Sequence, residues 1–304
     1  GSKAGDVNPY FACMAALGLL AETKNCPITE TEKKAVGRYL DWHTGILLET
    51  DGKMGIYRKK SGKLIYKEKA DSEDGYLGMY LFLMGKYLEK TESTDLPEYW
   101  KKGISLALKK IQSLMQDGIT QVSEENTTVY LMDNLEVWKG LYELEHAGLK
   151  DVQAIREMRN KLQAQIEKLF WDDANQRWRI IENSDLYHQK EFYPDGVAQI
   201  YPLIYEFPVK EKKKQKILYK QFTERFQWQK LTKKRNGFLW AMTGMAAAQM
   251  GDINNLLEMI RNYEAEYCEN RKYPLYTGEA GWICMECEKL YSLYERKIKT
   301  GFLV

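Results

Sequence analysis

The sequence predicts an all-α fold, an incomplete (α/α)6 toroid of alternating inner and outer helices with short β-hairpins in its rim loops, as one domain spanning residues 1–304. Three observations predict it. Apolar helical segments alternate with amphipathic ones along the whole chain, a new apolar segment starts every ~40 to 65 residues, and the longest helix-free stretches each precede an apolar one. Hairpins of one buried and one covering helix either spread as an open solenoid or curl until the first inner helix meets the last. Six inner helices, as counted here, close such a ring.

The inner helices are expected over 9–22, 74–90, 129–147, 195–206, 238–250 and 279–294, each apolar nearly all round, as a buried helix is. The outer ones are expected over 30–47, 97–116, 151–170, 210–226 and 254–267. Their apolar residues recur at helical spacing, for example Ile155, Met158, Leu162, Ile166 and Leu169, with charges on the other face. The tail 297–304 stands where a sixth outer helix would complete the set. Three helix-free stretches, 48–70, 116–128 and 172–192, fall on the rim where inner helices start, the face on which repeat proteins carry their binding insertions. Alternating pieces at 54–57, 63–66 and 177–181 are expected to pair as hairpin strands.

Composition narrows the function. With 44% hydrophobic and 29% charged residues the chain can bury a large core, and no run reaches the ~18 apolar residues of a membrane span. Lys and Arg total 45 against 43 acidic residues, so a net charge of +2 gives no field for nucleic acid. The basic run from Lys210 to Lys216 opens an amphipathic helix and reads as a solvated face. Of five cysteines, Cys284 and Cys287 form a C-x-x-C inside a helical run, without the second Cys or His pair that zinc requires. The expectation is therefore no metal, no cofactor, no nucleic-acid partner, no membrane span and a monomer. The start at Gly1-Ser2 shows no charged region followed by an apolar one. An extracellular or cell-envelope location is expected if a signal peptide was trimmed away, and a cytoplasmic one otherwise.

Acids and aromatics recur where inner helices begin. The second begins Asp71-Ser72-Glu73-Asp74-Gly75-Tyr76, the third Tyr130-Leu131-Met132-Asp133-Asn134-Leu135-Glu136, the fourth Phe192-Tyr193-Pro194-Asp195-Gly196 with Gln199 a turn on, and the sixth Tyr276-Thr277-Gly278-Glu279-Ala280-Gly281-Trp282. Any one acid is explained equally well as a helix cap. Caps need no neighbouring aromatic, whereas sugar rings stack their C–H faces on aromatic planes and bond their hydroxyls to Asp, Asn, Gln and Glu. Two carboxyl groups across a cleft are also the minimum for glycosidic cleavage.

Taken with Val7-Asn8-Pro9-Tyr10-Phe11-Ala12 and Tyr39-Leu40-Asp41-Trp42, these motifs resemble bacterial proteins of the six-hairpin glycosidase superfamily over nearly the whole chain. Asp74-Gly75-Tyr76-Leu77-Gly78-Met79-Tyr80 is also similar to the acidic start of an inner helix in glycoside hydrolase family eight. That family's acid-bearing motif has no counterpart on the first inner helix, where Asn8, Pro9 and Tyr10 stand instead. Other chemistries lack their residues: of three histidines, His43 sits on an outer helix and His146 near an inner helix's far end, unlike the inner-helix histidines of toroidal epimerases. No G-x-S-x-G, phosphate loop or D-D-x-x-D cluster occurs.

The expected function is an inverting glycoside hydrolase acting on a polysaccharide or oligosaccharide, with a carbohydrate-binding or scaffold protein on the same toroid as the alternative. Asp74, Asp133, Asp195 and Glu279 are the candidate acids and bases. Glu279 and Asp74 are the candidates for a raised pKa, and Asp133 and Asp195 the preferred bases. Tyr76, Tyr130, Asn134, Tyr193, Gln199, Trp240, Tyr276 and Trp282 are expected to line the sugar subsites.

Overall fold

A computed structural model describes residues 6–93, 95–182, 184, 191–230, 238–270 and 275–299. His188, the end of the tail and part of the stretch 172–192 lie outside the described residues.

The inner helices are α1 (Pro9–Leu19), α3 (Glu73–Thr91), α5 (Leu131–His146), α7 (Val197–Ile204), α9 (Thr243–Met250) and α11 (Thr277–Lys299). The outer ones are α2 (Glu30–Glu49), α4 (Glu98–Leu114), α6 (Gln153–Phe170), α8 (Lys212–Phe226) and α10 (Ile253–Tyr263). Starts are written locally: Asn8 caps α1 ahead of Pro9, Thr29 and Glu32 form a capping box on α2, and the Ser72 hydroxyl accepts from Gly75 N on α3. Each inner helix packs on its neighbours in the order α1, α3, α5, α7, α9, α11, and α11 packs on α1, so the ring is closed.

Two seams depend on absent side chains. A Cβ on Gly281 would lie 2.1 Å from Met14 O, and one on Gly18 would lie 2.4 Å from the Gly281 Cα, so α1 and α11 meet backbone to backbone. Between α3 and α5, a Cβ on Gly140 would lie 2.3 Å from Gly78 O. Gly281→Ala gains helix propensity but forces the ring seam apart, and a net loss of ~2 kcal/mol is expected in urea unfolding. An unchanged midpoint would show that the seam yields freely.

Three hairpins stand on the rim. Strands β1 (Asp6–Val7), β2 (Gly55–Lys60) and β3 (Lys63–Lys69) form one antiparallel sheet, β4 (Met115–Gln116) pairs with β5 (Ile119–Thr120), and β6 (Trp171–Asp172) with β7 (Arg177–Trp178). The β4–β5 pair was not expected, and the strand expected over 177–181 is shorter. The fifth inner helix also starts late, at Thr243, because residues 238–242 run as a strap across the ring's mouth with Trp240 at φ +59°. The fourth begins with a wide π-type turn, Phe192–Gly196, before α7. At the other end of the chain, residues 297–299 continue α11 rather than forming a separate tail.

The far end of the ring is shut by ion pairs and one amide hydrogen bond, with a contribution from every inner helix or its end. Lys139 Nζ lies 2.6 Å from Glu206 Oε2 and 2.7 Å from Glu143 Oε1, and Lys289 and Gln249 also reach Glu206. Lys86 approaches Glu143, and Lys90 joins Glu22 at 2.8 Å to Glu288 at 3.1 Å. Lys139 is only 4% exposed. Its two partners over-compensate its burial and raise its pKa, while Lys139 and Lys289 hold Glu206 down to about 2 against its own burial.

Candidate active site

The N-terminal ends of the inner helices surround a central cavity of about 370 Å³. Over the rim beside it lies a second cavity of about 490 Å³, and Asp71, Ser72, Met132, Asp133 and Tyr193 line both.

Aromatic rings run around most of the central cavity's wall. Tyr76 and Tyr10 have centroids 5.4 Å apart, Phe11 stacks on Phe238 at 5.4 Å, Phe238 touches both Tyr276 and Trp240, and Trp240 meets Tyr193 at 4.6 Å. Carboxyl groups stand among these rings: Asp71, Asp133 and Glu136 towards α3 and α5, and Glu279 from α11. In the ring order α5 and α11 are three places apart, so Asp133 and Glu279 stand on opposite walls.

Glu136 sits one turn below Asp133 and forms the floor. Its Oε1 accepts from the hydroxyls of Tyr10 (2.5 Å), Tyr201 (2.6 Å) and Tyr205 (3.3 Å). Burial pushes its pKa up to about 7, although the tyrosine bonds pull the other way. Asp133 is raised well above the usual carboxylate range, first by burial and then by the charges of Asp74 and Glu136. Burial also takes Glu279 up to about 7, against backbone N–H groups of Ala241 and Trp240; Ala241 N donates to Glu279 Oε2 at 2.7 Å. The strap 238–242 is thus pinned by the carboxyl it covers.

Several sequence candidates have other work. Asp74 has no exposed surface and lines neither cavity, because Ser72 Oγ, Thr120 Oγ1 and Gly75 N all bond to it. Burial raises its pKa to about 6. Asn134 was expected at a sugar subsite, but it is fully buried: its Oδ1 accepts from Thr120 N and Oγ1, and its Nδ2 donates to Thr120 O and Tyr130 O. Gln199 clamps Trp178 in the same way, by N–H and C=O at 2.8 and 2.9 Å. Both amides hold a rim hairpin to an inner helix, each accepting from a buried backbone N–H and donating to the C=O of the same residue. Asp195 and Tyr130 line the rim cavity alone. Tyr76, Trp240, Tyr276 and Trp282 line the central one, Trp282 from the bottom with its indole N–H on Met14 Sδ.

Sequence reasoning did not select Tyr10, Phe11, Asp71, Glu136, Tyr201 or Phe238. The spacing of Asp133 and Glu136, three apart on a helix with no solvent face, was the available signal for one of them.

Asp74, Glu136 and Glu279 keep protons in the folded chain over a range where unfolded carboxyls have released them. The folded state then binds more protons than the unfolded one between roughly pH 4 and 7, so stability should fall as pH rises through that window. Thermal melts in matched buffers would check this, and Glu136→Gln should flatten the slope. A melting temperature that rises across the window would contradict the assignment.

No protein-family model matches the chain, and no curated protein matches its sequence. Solved structures do match its fold. A wild-type glycosidase superposes with TM-score 0.64 at 12% identity, over 95% of this chain and 88% of that one. A GH78-family rhamnosidase of Bacillus sp. GL1 gives 0.56 at 13%, over 96% of this chain and 32% of that one. The GH76 α-mannanase of Bacteroides thetaiotaomicron gives 0.55 at 10%, over 96% and 86%. The chain has the six-hairpin, glycosidase-like fold, and these structural neighbours are glycoside hydrolases. No described helix is long and apolar enough to cross a membrane.

Proposed function

We propose that the protein is a glycoside hydrolase that cleaves with inversion, using Asp133 as general acid and Glu279 as general base. The observation that carries this reading is the pair of carboxyls on opposite walls of one aromatic-lined cavity. Sugars need the aromatic faces, and inversion needs a wide separation, roughly 6.5–9.5 Å, so that water fits between base and anomeric carbon. Opposite walls favour that over the closer pair a covalent intermediate requires.

The roles follow from the surroundings and reverse those suggested by the local sequence. Burial, and then the neighbouring carboxyls of Asp74 and Glu136, favour the protonated form of Asp133, which suits it to give a proton to the departing oxygen. Glu279, near 7, is poised to take a proton from water, and the Ala241 N–H fixes one of its oxygens. The solved glycosidase in complex with glucose lends the carbohydrate reading support from a shared fold.

The test is a glycan panel scored for reducing-end release and for binding, with NMR identification of the first-formed anomer. Release of the inverted anomer is expected. Binding without release would favour the non-catalytic carbohydrate-binding reading, and the retained anomer would remove inversion.

A further inference from the structure

We propose that the enzyme is exo-acting from the non-reducing end: the central cavity takes one terminal sugar residue, and the rim cavity takes the residue it is joined to. This deepens the hydrolase reading and rests on it. The central cavity is blind. Its floor is Glu136 with Tyr10 and Tyr201 bonded to it, beside Met14 and Trp282, and beneath them the Tyr205 hydroxyl lies 3.8 Å from Met79 Sδ. Deeper still, the ion-pair plate around Lys139 and Glu206 closes the ring. A glycan therefore cannot thread through, and whatever enters ends there.

The two cavities also differ in their carboxyls, which fixes the direction. Glu279 lines only the central one, while Asp133 lines both. A base delivers water to the anomeric carbon, so the sugar losing its bond lies in the cavity that holds Glu279. An acid protonates the bridging oxygen, so it belongs at the junction, where Asp133 stands. In the balanced step the C1–O bond breaks, the leaving oxygen takes the Asp133 proton, water bonds to C1, and its proton passes to Glu279. The sugar in the blind cavity thus contributes C1 and has no further residue on its other side. The leaving residue lies against Tyr130, Ile180, Ile181 and Pro194 over the rim.

The experiment uses the full chain with di- to hexasaccharides of the gluco, manno, galacto and xylo series, each tagged with 2-aminobenzamide at the reducing end. Early-time chromatography should show free monosaccharide and tagged chains shortened by one residue. Tyr130→Ala should raise KM for the disaccharide ~5-fold with the same one-residue ladder, since it removes an aromatic contact from the leaving residue alone. Tagged fragments from mid-chain cleavage would overturn exo action and leave the hydrolase reading standing. An unchanged KM in Tyr130→Ala would remove the rim cavity from the leaving-residue side. No release from any series would overturn the hydrolase reading and exo action together.

Discussion

Asp133→Asn is expected to lower turnover on an ordinary oligosaccharide by about 10²- to 10⁴-fold, the range over which a positioned proton donor acts. The loss should shrink sharply on an aryl glycoside whose leaving group, such as dinitrophenolate, needs no proton. Glu279→Gln should lose as much on both substrates, because water activation is needed whatever departs. On the proposed roles, the two carboxyls should also set the pH profile of kcat/KM. Activity should fall as pH drops below about 7, where Glu279 gains a proton, and fall again at higher pH as Asp133 loses its own. Near-normal rates in both variants would take the pair out of the mechanism. Equal losses on the activated substrate would reject the division of roles.

The second large effect is one of stability. Lys139→Met leaves Glu143 and the inner side of Glu206 without their buried cation, and a loss of ~3–5 kcal/mol is expected in urea unfolding. Lys139→Met combined with Glu143→Leu should recover much of it, because Glu206 keeps Lys289 and no lone buried charge is left at Glu143. A loss below ~1 kcal/mol in the single variant would mean that the plate behaves as an exposed ion pair.

The alternation of helix types could be read from the sequence because burial acts on every turn of a helix, and the boundaries of α2, α6 and α8 came within two residues from their apolar stripes. The sequence extends the fifth inner helix too far, since residues 238–242 are as apolar as a helix would be; in the structure Trp240 takes φ +59° and the Ala241 N–H bonds to a carboxyl distant in sequence, Glu279. The site was half legible. The acids at inner-helix starts include both members of the proposed pair, yet Asp74, Asn134 and Gln199 share the same pattern and serve as internal fasteners. An amide that clamps a hairpin and an amide that binds a sugar present the same residue at the same spacing. Glu136 was passed over for the opposite reason: its three tyrosine partners come from α1, from α7 and from the residue just past the end of α7, and local sequence does not show that they meet.

The seam between Gly18 and Gly281 carries a consequence for biosynthesis. These glycines are far apart in sequence, yet their helices meet backbone to backbone, so the circle cannot close until α11 has left the ribosome. Until then the Met14 and Leu17 face of α1, buried in the finished protein, stays wet and open to wrong partners. The entropy of joining such distant segments grows only with the logarithm of their separation, so the delay is a hazard of timing rather than of equilibrium. Nascent chains stalled before α11 should therefore recruit chaperones and resist compaction, even with every earlier hairpin already synthesised.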